Sequence, residues 1–93
     1  MKNFLQQEIT VGPDDVVEVT LDGQANVMLL DPTNFGRYRR GESFHYHGGL
    51  AKTSPFRLVP PENGRWHVVV DLGGFAGKVR AGVRVLQGAN TEG

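Results

Sequence analysis

The sequence predicts an all-β fold, an antiparallel sandwich or barrel of about seven to eight strands, and three observations carry that prediction. Two segments alternate apolar and polar residues. In 65–72 the apolar set is Trp66, Val68, Val70 and Leu72, against polar Arg65, His67 and Asp71; in 79–86 Val79, Ala81, Val83 and Val85 alternate with Arg80, Gly82 and Arg84. That period of two marks strands with one face on a core and one in water. Glycine, proline and Asx clusters punctuate the chain at short intervals, as turns between short strands require. No window sustains a helical period.

In chain order, 4–11 is a first strand closed by Gly12-Pro13-Asp14. The segment 15–21 is a second, with Val17, Val19 and Leu21 on one face and Glu18 and Thr20 on the other. Asp22-Gly23 is a tight-turn dipeptide, so 25–31 is expected to return as the hairpin partner of the second strand. Asp31-Pro32-Thr33-Asn34 breaks the pattern and opens a polar, aromatic and basic loop that runs to Gly41. A short strand is expected at 42–47, ended by Gly48-Gly49. Another lies at 54–59, where Pro55 suits a sheet edge. After the turn 60–64, the strands 65–72 and 79–86 are expected to pair as a hairpin. Three glycines in the link 73–77 would supply its positive φ angles. Residues 1–89 read as one sandwich domain and 90–93 as a disordered C-terminal tail.

Composition narrows the function classes. Ninety-three residues with 39% apolar and 22% charged side chains suit one globular domain. A chain of this size buries roughly 60–65% of its unfolded surface, so the core is thin. Ten basic residues balance ten acidic ones, which argues against a nucleic-acid partner, because displacing counterions needs surplus Lys and Arg. With no cysteine, disulfides and thiolate metal sites are excluded. No apolar segment approaches the length of a membrane span or of a signal h-region. A cytoplasmic protein without cofactor is expected.

The runs Asn34-Phe35-Gly36-Arg37-Tyr38-Arg39-Arg40-Gly41, Tyr46-His47-Gly48-Gly49, Ser54-Pro55 and Gly64-Arg65-Trp66-His67-Val68-Val69-Val70-Asp71-Leu72-Gly73-Gly74 together resemble a small bacterial family known as domain of unknown function 1883. The resemblance spans nearly the whole chain. It implies a jelly-roll-like sandwich, and relatives in which such a domain is sometimes fused to a TIR signalling domain. It carries over no activity and no catalytic residue.

Most of the recognisable chemistry lies in 34–49. Arg37, Arg39 and Arg40 are interleaved with Phe35, Tyr38, Phe44 and Tyr46. Guanidinium forks match carboxylates and phosphates, and aromatic faces stack on planar ligands. Phe35, Arg37, Tyr38, Arg40 and Tyr46 are therefore the candidate ligand-binding set. The structural alternative makes the aromatics core plugs and the arginines a solvated face that pairs with Glu42 or Asp31.

His45 and His47 would share one face of a strand, and His67 sits on the polar face of its own. With a carboxylate they offer an alternative metal site; the competing expectation is three rim histidines with no common destination and no metal. Trp66 is expected in the core and Asp71 on turn amides. Ser54 has no base at a recognisable spacing. The function expected is a non-enzymatic β-sandwich module that binds an anionic small ligand or a protein partner, with bacterial signalling implied by the family resemblance. The alternatives are a metal-binding jelly-roll enzyme or sensor using His45, His47 and His67, and a structural homo-oligomer paired through strand edges.

Overall fold

Among the residues described by the computed structural model, 4–71 and 79–89, seven strands and one helix follow in order. They are β1 (Phe4–Val11), β2 (Val16–Leu21), β3 (Ala25–Leu30), α1 (Pro32–Arg40), β4 (His47–Ala51), β5 (Phe56–Leu58), β6 (Gly64–Asp71) and β7 (Ala81–Leu86). The strands build two antiparallel sheets, β1-β6-β3-β4 and β5-β2-β7, so the fold is an all-β sandwich. The β3–β6 pairing is nested inside the β2–β7 pairing, in alternate sheets. That winding is jelly-roll-like. Across the sandwich β1 packs beside β7, and β4 beside β5. No helix among the described residues is long and apolar enough to cross a membrane.

The core between the sheets comes from alternate positions. Ile9 and Val11 of β1, Trp66, Val68 and Val70 of β6 and Val27 and Leu29 of β3 meet Val17 and Val19 of β2, with Val83 and Val85 packed against them. The expected core face of β6 is therefore present, apart from Leu72, which lies outside the described residues. The Trp66 indole N–H, which burial would otherwise leave unsatisfied, donates to the Glu62 carbonyl at 3.0 Å.

The opposite face of β6 departs from the sequence reading. Val69 is fully buried, His67 is buried, and a second core forms from Met28, Leu30, Tyr38 and Val69 with Phe35 and Phe44 against it. The cover is α1, which packs on β6 and β3. Alternation alone assigned this face to water because His67 and Asp71 are polar. The helix turns it into an interior.

Both expected hairpins are corrected. β3 does not return along β2; it crosses to the other sheet and lies between β6 and β4. Its two faces are apolar, Val27 and Leu29 toward one core and Met28 and Leu30 toward the other, which suits a central strand covered on both sides. Each such buried side chain contributes about 1.5–3 kcal/mol relative to exposure. β6 and β7 likewise belong to different sheets; the link 73–77 lies outside the described residues, as does the tail at 90–93. Alternation shows which face of a strand is buried but carries no information about its neighbour.

The strand expected at 42–47 is displaced to β4, and the two glycines expected to end it lie within it. Gly48 has φ +130°, and a Cβ there would collide with the Val27 carbonyl oxygen. The backbone of β4 can lie against β3 at this point only without a side chain.

Candidate functional site

The segment 32–40, expected as a loop, is helical. Asp31 accepts the Asn34 N–H at 2.7 Å as N-cap, and Pro32 occupies the first turn, where its missing N–H costs nothing. At the other end Gly41 adopts φ 76°, with its N–H on Tyr38 O at 3.2 Å and the Glu42 N–H on Arg37 O at 2.9 Å. This is a Schellman termination, which favours glycine. The signal was present in the sequence as Asp-Pro at one end and Gly after a basic turn at the other. It was obscured because only Phe35 and Tyr38 are apolar enough to form a stripe.

Those two residues face the sheet. Tyr38 is 2% exposed and donates its hydroxyl to Asp71 of β6. Burial first, and the Asp71 carboxylate second, push the phenol well above its ordinary value, so it stays protonated. Asp71, expected to bond turn amides, here accepts from the helix. Phe35 stacks on the His67 ring with centroids 4.2 Å apart and planes 12° from parallel. The Gln6 side-chain amide meets His67 Nδ1 at 2.8 Å. As Gln6 is the donor, the imidazole proton resides on Nε2, 3.7 Å from Glu8. Burial lowers the His67 pKa, with Glu8 opposing. Asn34 ties down the following loop by accepting the His45 backbone N–H at 2.8 Å.

The helix thus splits the candidate binding set. Phe35 and Tyr38 point into the second core, so neither offers a free contact face, a correction that follows from their i, i+3 spacing. Arg37 and Arg40, also three apart, are exposed on the other side. Arg40 pairs with Glu42 at 2.8 Å, an exposed contact that raises the guanidinium and lowers the carboxyl. Arg37 makes no ion pair among the described residues. Arg39 lies over the Phe35 ring at 5.9 Å. Tyr46, 47% exposed, joins the edge of the second core through Phe44, which packs edge-on against Tyr38.

The histidines diverge. His45 precedes β4 and shares no strand face with His47. His47 pairs with Leu29, whose side chain faces the inter-sheet core, and its ring lies edge-on to Trp66 at 5.8 Å. His67 pairs with Leu30, on the helix side. The two imidazoles therefore lie on opposite faces of one sheet. No group of three metal-ligating side chains forms among the described residues.

One polar constellation was not legible in the sequence. Glu18, at the centre of the three-stranded sheet, is 3% exposed. It sits in register between Arg57 of β5 and Arg84 of β7. Arg84 Nε donates at 2.8 Å, and Arg57 donates through Nε and Nη2 at 3.1 and 3.0 Å. The Arg84 contact, followed by Arg57, holds the carboxyl below its usual range. Both arginines stay largely exposed, so the triad is a clamp across the sheet surface rather than a buried ion pair. Only the strand register, which the sequence does not display, brings the three together.

Compared with known families, the chain matches one, described as Domain of unknown function (DUF1883), over residues 2–89. No curated protein and no solved structure matches.

Proposed function

Because the chain belongs to the DUF1883 family, whose description assigns no activity, we propose its function from the geometry: a non-enzymatic β-sandwich module that binds an anionic small ligand or an acidic protein segment through the solvent face of α1. A cytoplasmic setting in bacterial signalling belongs to the same proposal.

The supporting observation is the two-sided use of α1. Its inner face is pinned by Tyr38 on Asp71 and Phe35 on His67, while Arg37 and Arg40, three residues apart, are exposed on the other face. A fixed helix sets the spacing of the two arginines, so no backbone ordering is required when an anion binds. Glu42 occupies Arg40 in the free state and an incoming carboxylate or phosphate replaces it.

The experiment is a thermal-shift screen of nucleotides, phosphosugars and acidic peptides. A ligand present at a hundredfold excess over its Kd stabilises by about 2.7 kcal/mol, a Tm rise of about 10 °C or more for a domain this small. The rise is expected to vanish in an Arg37→Ala, Arg40→Ala double variant that keeps its circular dichroism. Ligands that shift the variant as much as the wild type place recognition elsewhere.

A further inference from the structure

Sheet edges carry unpaired backbone donors and acceptors, and proteins blunt them with short strands, prolines, charged side chains (lysine above all) or bulges. Among the described residues the four sheet edges differ in such protection. β5 has three residues and is flanked by Pro55 and Pro60; β4 has five, two of them glycine; β7 carries Arg84, with Arg80 just before it. β1 shows the least. It has eight residues, contains no proline, lysine or arginine, and its register with β6 runs without a bulge from Phe4 opposite Asp71 to Val11 opposite Gly64. Beside it a depression of about 200 Å³, lined by Leu5, Gln7, Val68, Val70, Ala81 and Val83, leaves the sandwich seam open, and Leu5 is 49% exposed.

We propose that β1 is the interface with a second copy of this chain, pairing antiparallel with itself about a two-fold axis so that two four-stranded sheets become one continuous sheet. The register follows from the faces. Leu5 and Ile9 stand opposite Val70 and Trp66 and face the inter-sheet core; Gln6 and Glu8 stand opposite Val69 and His67 and face the helix layer. A two-fold axis normal to the sheet keeps each face on its own side, so directly opposed residues must come from the same alternating set. Near the centre of β1 this leaves either Gln7 opposite Gln7 of the second copy or Glu8 opposite Glu8. The latter opposes two carboxylates and is disfavoured. The former sets half-exposed Leu5 against Ile9 and Gln6 against Glu8. The second N–H of the Gln6 amide, whose first meets His67, is then available to the opposing carboxylate.

The test uses the whole chain, which contains no cysteine. Light scattering is expected to give twice the 10.2 kDa chain mass. Gln7→Lys, which opposes two ammonium groups on the axis at an exposed position, should weaken dimerisation about tenfold or more with an unchanged far-UV spectrum. Paired Cα atoms in antiparallel strands lie roughly 4.5–5.5 Å apart, within disulfide reach. Oxidised Gln7→Cys should therefore run as a covalent dimer, and Glu8→Cys far less. A monomer at the highest soluble concentration, or a dimer in which Gln7→Cys fails to cross-link or Glu8→Cys cross-links faster, overturns the proposal.

Discussion

Replacing Val69 with threonine distinguishes a solvated face of β6 from a second core. The two side chains have nearly the same shape, so the substitution exchanges one methyl for a hydroxyl and leaves strand propensity almost unchanged. On a solvated face the stability change lies within about 0.5 kcal/mol. Val69, however, is fully buried among Met28, Leu30 and Tyr38, and the carbonyls of β6 are committed to β1 on one side and β3 on the other. The new hydroxyl replaces a methyl packed against apolar side chains, and burying it there costs about 1–3 kcal/mol by protein mutational scales. In a domain of this length that lowers Tm by about 4–8 °C per kcal/mol. Val68→Thr, on the inter-sheet face, serves as the reference because Val68 is equally buried. Differential scanning calorimetry of both variants is the assay, and comparable losses are expected. A Val69→Thr protein that melts with the wild type while Val68→Thr falls would refute the helix-covered core.

Three further outcomes follow from individual contacts. Burial depresses the His67 pKa, so the folded state favours the neutral ring. Its contribution is complete above the unfolded value of about 6.5 and is lost as pH falls through the folded value. Tm is thus expected to drop from about pH 7 to about pH 5, and to drop less in His67→Gln; parallel curves would show that another group governs this window. Glu18 and Glu42, held low by their arginines, weaken the fold only as pH falls below 4.5. Gly48→Ala combines a left-handed φ with a collision against the Val27 carbonyl and is expected to cost about 2–4 kcal/mol. A denaturant midpoint equal to wild type would show that β4 lies farther from β3.

Local pattern determined much of this protein. The alternation of Trp66, Val68 and Val70, matched by Val17 and Val19 and by Val83 and Val85, is a property of each segment alone, because a strand turns successive side chains to opposite faces wherever it sits. The all-β class, the core face of β6 and most strand positions follow from it. The caps of α1 were also written locally, in Asp31-Pro32 and Gly41, although hydrophobic periodicity did not disclose them. Tertiary structure decided what depends on neighbours. Which strand lies beside which is set by the sum of burial over both sheets, so β3 and β7 joined sheets that turn dipeptides and glycine links did not specify. The second face of β6 became interior only because α1 docks there through Phe35 and Tyr38. The same docking turned two residues of the candidate site inward and left Arg37 and Arg40 outside. The register that clamps Glu18 between Arg57 and Arg84 joins residues 39 and 66 positions away from it. No local window contains such a contact, because the interaction exists only once the strands have paired.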